Sequence, residues 1–319
     1  MSKNMWIIDT DAGVDDAQAL VLALKCQEYH NFEVVAITSV AGNVPLPQVN
    51  KNIGEILRVC NKTHIPYYSG SAKPLINDLT DCASIHGVDG LNNYWSNPSR
   101  GAEDIPEPQS KHAVQAIIDI ANEHPGQVSI ATIGPLTNLA LAVCLDPALP
   151  TKFKRVLVMG AAVHGKGNIT VSAEFNIWCD PEASHIVFER FPLLEIVPWE
   201  TCIDREHKFT SEFLNSYTHG ATPQGNFVRE ITTIVGGESH VFFCDPITIC
   251  IAIDESIAKE YSLRKGFVEL NGGYTRGMTV VNWGCSDMKE INEGGDANLK
   301  IVEKLDLEKI MALFLHSIS

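Results

Sequence analysis

The chain has 319 residues, 45% of them hydrophobic and 20% charged, enough to bury a full core in one large domain or two smaller ones. Its 24 Lys and Arg against 39 Asp and Glu give a formal net charge of -15 with no basic run, which argues against nucleic acid and anionic membrane surfaces as partners. No stretch is long and apolar enough to span a bilayer, the N-terminal MSKNMWIID lacks a secretory core, and nine cysteines without a CxxC pair suit reduced thiols, so a cytoplasmic protein is expected.

Taken in chain order, short β-rich runs fall at 6–9, 32–40, 127–133, 155–160 and 193–199. Between them lie amphipathic or Ala/Leu-rich stretches at 15–25, 49–59, 113–122 and 136–143. This alternation predicts βαβ units in an α/β fold, a mainly parallel central sheet flanked by helices. Asp180 before Pro181 marks a helix start, with the carboxylate as N-cap and proline at the first helical position. From Thr201 to Cys244 the pattern is less regular. Two strands joined by a glycine turn are predicted within 267–281, and a closing helix at 307–317. Without repeats or linkers, residues 1–319 are read as one domain with loop insertions near 81–95 and 218–241.

Open α/β sheets bind ligands beyond the carboxyl ends of their strands, which here collects Asp9, Asp11, Asn43, the Ile133-Gly134 peptide and the 160–176 segment. In WIIDTDAGVDDAQAL, Asp15 and Asp16 suit the first turn of a helix, where the macrodipole favours negative charge. That accounts for two carboxylates, not four. Asp9 and Asp11 lie on one side of an extended segment, and crowding all four calls for a counter-ion, most simply a hard divalent cation with oxygen ligands. The spacing is not that of an EF-hand, since Gly13 and Leu20 fall where other residues are required.

Taken together, DTDAGVDDAQAL, AGN (41–43), IHGVDGL (85–91), IGPLTNLALA (133–142), MGAAVHGKGN (159–168), AEFNIWCDPEAS (173–184) and CDPIT (244–248) resemble the nucleoside hydrolase family of the inosine-uridine preferring type. The likeness continues through 273–283 and 297–310, nearly the whole chain. It implies hydrolysis of the N-glycosidic bond of ribonucleosides by a Ca²⁺-dependent enzyme. The implied metal ligands are Asp11, Asp16, the main-chain carbonyl of Ile133 and Asp245, with Asp11 also the general base. Asp15, Asn43, Asn176 and Asp245 would grip ribose hydroxyls, and Asn168 and Glu174 the 5′-hydroxyl. Phe175, Met159 and Ile85 complete the implied substrate set.

Where many relatives carry a histidine before the C-terminal aspartate, this chain has Cys244, as in a subgroup that looks similar there. Cys244, His240 and His86 are therefore the candidate leaving-group acids, with His86 placed on a loop that covers the base in the family. Trp95, Trp178 and Trp199 are further candidates to stack on a base, and Asn282 stands where relatives often have aspartate. The resemblance also implies a homodimer or homotetramer acting in nucleoside salvage. Two other readings remain: a Mg²⁺-dependent phosphatase, because DTDAG superficially resembles the start of haloacid-dehalogenase-type enzymes, and a nucleoside or ribose binder that has lost catalysis.

Overall fold

The computed structural model describes residues 3–98, 100, 104–204, 209–232, 234–235, 238–239, 243–284 and 297–319. The first half runs β1 (Asn4–Thr10), α1 (Val14–Cys26), β2 (Phe32–Ser39), α2 (Leu46–Val59), β3 (Tyr67–Ser69), α3 (Ala83–His86), α4 (Ala113–Glu123), β4 (Val128–Thr132) and α5 (Thr137–Leu145). Then come β5 (Val156–Met159), α6 (Phe175–Cys179), α7 (Pro181–Arg190), β6 (Leu194–Val197), α8 (Trp199–Ile203), α9 (Ser211–Tyr217) and α10 (Pro223–Ile231). The chain closes with β7 (Ile234–Val235), β8 (Glu238–Ser239), α11 (Cys244–Ile253), β9 (Ala258–Arg264), β10 (Gly266–Val268), β11 (Thr279–Val281), β12 (Leu299–Leu305) and α12 (Leu307–Ser317).

Eight strands form one sheet in the order β3-β2-β1-β4-β5-β6-β12-β9. Every neighbouring pair is parallel except β12 with β9, which is antiparallel. The expected mainly parallel sheet is therefore present, with the predicted β10–β11 pair formed beside it. The expectation did not include β3, whose three residues carry too short a pattern, the edge strand β9, whose AKEYSLR reads as solvated surface, or β12, which lies between β6 and β9.

Strand β1 shows how the two layers are built. Trp6 and Ile8 join the core that contains α1 and α11, whereas Ile7 joins the opposite core with α4 and α5. Helix α1 is buried nearly all round, because it is packed against β2, α11 and α12 as well as β1's face. Among the described residues no helix is long and apolar enough to cross a membrane. Eight described cysteines are free.

The order 3-2-1-4-5-6 places a topological switch point between β1 and β4, where connections leave the sheet in opposite directions. Asp11 follows β1 and Ile133 follows β4, so both stand at the mouth of that crevice.

Candidate active site

Asp11 sits just past the end of β1, and the next residue, Ala12, turns the chain through a φ of 45° in the left-handed region. A non-glycine residue held there is strained, and such residues cluster at functional sites. The turn allows Asp16, the third residue of α1, to reach back: it accepts from Thr10 Oγ1 at 2.5 Å and from the Gly13 amide at 3.0 Å. Asn43 secures both carboxylates, donating its backbone N–H to Asp11 Oδ2 at 2.7 Å and its Nδ2 to Asp16 Oδ2 at 3.0 Å. Gly42 makes this approach possible, since a Cβ there would lie 2.1 Å from Asp11 Oδ2.

One member of the aspartate quartet belongs elsewhere. Asp9, still within the strand, points to the Ile7 face and accepts from Thr38 Oγ1 at 2.5 Å and Asn138 Nδ2 at 2.8 Å. The strand ends before Asp11, so the shared side expected for Asp9 and Asp11 does not bring Asp9 into the cluster. Asp245 takes the fourth place, arriving on the first turn of α11. Carboxylate oxygens of Asp15, Asp16 and Asp245 lie within 4.8 Å of one another.

Burial pushes the Asp11 and Asp245 carboxyls far above the usual range, with neighbouring carboxylates adding to it, and pushes Asp15 up to about 8 for the same two reasons. Asp11 Oδ1 is fully buried and has no hydrogen-bond partner among the described residues. An all-oxygen donor set with an orphaned carboxylate oxygen fits a hard cation, whose charge would reverse the cost of this crowding. The Ile133 carbonyl is at the same place, accepting from Asn176 Nδ2 at 3.1 Å.

Above this floor opens a cavity of about 410 Å³, lined on its polar side by Asp15, Asn43, Asn168, Glu174, Asn176 and Asp245. Ile85, His86, Met159, Phe175 and Cys244 also line it, together with the Ile133 position. Asp11 and Asp16 lie fully buried beneath. Trp199 faces the cavity, but Trp95 does not: its indole N–H goes to Asn52 Oδ1 and Lys51 covers its ring. Trp178 packs beside Gly277, outside the cavity lining. Cys82, Asn92 and Ile231 line the cavity without any motif that would have singled them out. His240 lies outside the described residues, as does part of the 218–241 insertion. Asn282 accepts from the Gly284 amide, a local turn that gives it no part in the cavity lining.

The candidate acids differ in chemistry. His86 Nδ1 accepts from the Val14 amide at 3.1 Å, which assigns the ring proton to Nε2, and burial holds the imidazole below its ordinary pKa. His86 is thus a neutral N–H donor. Cys244 is held well above the ordinary thiol range, first by its hydrogen bond to Cys202 and then by burial, so it stays protonated.

Glu174 caps α6, accepting from the amides of Asn176, Ile177 and Ala161, and burial pushes its pKa up to about 7. Because the fold holds this proton more tightly than the unfolded chain, whose glutamate ionises near 4.5, stability from Glu174 is complete below that value and lost as pH rises through 7. The loss amounts to about 3 kcal/mol. Urea unfolding between pH 4.5 and 8 is expected to show this fall in the native protein and a shallower one in Glu174→Gln; parallel slopes would show that Glu174 ionises normally.

The fold and the carboxylate-floored cavity at its switch point place the chain among doubly wound α/β enzymes. The family model for inosine-uridine preferring nucleoside hydrolases matches residues 6–312. An inosine-uridine preferring nucleoside hydrolase of Leishmania major is 32% identical over 98% of this chain and 96% of its own. A pyrimidine-specific ribonucleoside hydrolase of Escherichia coli is 34% identical over 87% of this chain and 88% of its own. The solved structure of an inosine-guanosine nucleoside hydrolase superposes with a TM-score of 0.87 at 26% identity, covering 99% of this chain and 98% of that one. The chain belongs to the nucleoside hydrolase family. Its class of activity is that of the N-ribohydrolases, and the phosphatase reading of DTDAG is not favoured.

Proposed function

We propose that this enzyme hydrolyses the N-glycosidic bond of ribonucleosides with Ca²⁺ held by Asp11, Asp16, Asp245 and the Ile133 carbonyl, and with Asp11 as general base. The observation that carries this reading is the buried, unpartnered Oδ1 of Asp11 beside the crowded carboxylates. When bound, the cation supplies charge compensation and makes a water molecule more acidic.

Asp11 takes a proton from the water whose oxygen bonds to the anomeric carbon, while the glycosidic C–N bond breaks and its electron pair leaves with the base. The sugar passes through an oxocarbenium-like state, and the carboxylates of Asp15 and Asp245 stabilise the positive charge that develops on it. Asp15, Asn43, Asn176 and Asp245 orient the ribose; Asn168 and Glu174 address the 5′-hydroxyl. The His86 Nε2–H is the donor best prepared to hydrogen-bond the departing base, with the Cys244 thiol a second, protonated neighbour; the base takes its proton from solvent, to which Asp11 returns the one it removed from water. Ile85, Met159 and Phe175 supply apolar contact. The chain acts as a homo-oligomer in the cytoplasm, and its product ribose and base enter nucleoside salvage.

The test is release of reducing sugar from inosine, guanosine, adenosine, uridine and cytidine before and after chelation. Ribose is expected from at least one nucleoside, with activity lost on chelation and restored by added Ca²⁺. Undiminished turnover in the chelated protein would remove the cation from the reading, and no release from any of the five would overturn the ribonucleoside assignment.

A further inference from the structure

Helix α2 carries an asparagine on its buried face, Asn52, which is fully excluded from solvent. Its side chain is saturated. Nδ2 donates to the Ala12 carbonyl at 3.0 Å and to the Asp89 carbonyl at 2.8 Å, while Oδ1 accepts from Gln48 Nε2 at 2.8 Å and Trp95 Nε1 at 3.0 Å. An amide uses all its hydrogen-bonding capacity this way only when its surroundings are fixed on both sides.

The two carbonyls belong to different functional segments. Ala12 is the left-handed residue between Asp11 and the start of α1, so its peptide sets where the first carboxylates stand. Asp89 organises the loop after α3: its carboxylate accepts from the amides of Leu91, Asn93 and Trp95 at 2.9, 2.8 and 2.7 Å. That loop carries Asn92 to the cavity and follows directly on α3, whose Ile85 and His86 also line it. His86 makes a second tie by accepting from Val14.

We propose that Asn52 is a positioning residue that locks loop 87–95, which carries Asn92 to the cavity, to the Asp11–Asp16 turn, so that the cavity wall and the carboxylate floor hold one relative placement. This rests on the proposed function of the same site. Asn52 touches neither substrate nor cation; it acts through Ala12 and Asp89. Replacing it by leucine, of similar size, would leave two buried carbonyls without their donor and release the two segments from each other. Loss of such outer contacts typically costs 10- to 100-fold in metal affinity or activity.

The experiment compares the full-length native protein with Asn52→Leu in three measurements: calorimetric titration with Ca²⁺ alone, amide hydrogen exchange across 87–97, and kcat and KM on the preferred nucleoside. Expected are Ca²⁺ binding weaker by roughly tenfold, exchange at Leu91, Asn93 and Trp95 faster by roughly tenfold, and a KM that rises by more than kcat falls. A folded Asn52→Leu protein with native Ca²⁺ affinity, exchange and KM, differing only in melting temperature, would overturn the proposal. Should Asn52→Leu fail to fold, Trp95→Phe removes one partner of the same amide, and unchanged exchange and KM there overturn it equally. Absence of Ca²⁺ binding by the native protein would count against the cation alone, since exchange and KM still report on Asn52.

Discussion

Asp11→Asn is expected to lower kcat by about 10²- to 10⁴-fold, the usual weight of a general base, while the protein remains folded and still binds nucleoside. The amide is nearly the same shape, and its oxygen keeps the hydrogen bond from the Asn43 amide now made by Oδ2 at 2.7 Å. What disappears is the only oxygen of this residue left without a partner, together with its capacity to take a proton. The same substitution removes one of several crowded, desolvated carboxylates, so the cation-free variant should melt at a higher temperature than the native protein. Opposite movements of activity and stability would mark a group retained for chemistry. Turnover within threefold of native would remove Asp11 as the general base.

Much of this site is readable before folding because strand ends and helix starts carry strong local chemistry. Asp11, Asn43, Asn168, Asn176 and Asp245 come from five separate segments, and each lies beyond a strand or at a helix terminus. Contacts that depend on a side chain's exact direction are not readable in this way. Asp9 and Asp11 share a parity along the chain, yet the turn at Ala12 separates them, and Asp9 serves the packing of β1, β2 and α5 through Thr38 and Asn138. Asn52 is hidden for the opposite reason: a polar residue within an amphipathic helix reads as exposed, and only the docking of loop 87–95 gives it two carbonyls to hold. The Cys202 partner of Cys244 lies 42 residues away in sequence, with no spacing rule to connect them.

A 2′-deoxyribonucleoside is expected to be cleaved with kcat/KM about 10⁴-fold below its ribonucleoside, because a site shaped to pair a hydroxyl leaves its own polar groups stranded when the hydroxyl is missing. Asp245 is only 3% exposed, so water cannot readily replace the lost partner. The 5′ side should be more tolerant. Asn168 Oδ1 already accepts from the Phe175 amide at 2.8 Å, and Glu174 already accepts from three backbone amides. Their hydrogen bonding survives without a 5′-hydroxyl, whereas Asp15 and Asp245 face mainly other carboxylates. Comparing uridine or inosine, whichever is turned over faster, with its 2′-deoxy and 5′-deoxy forms separates the two sides of the ribose. Equal penalties at both positions would mean that pre-satisfied groups such as Glu174 do not soften specificity, and a 2′-deoxy penalty below tenfold would place the recognised hydroxyl away from Asp15 and Asp245.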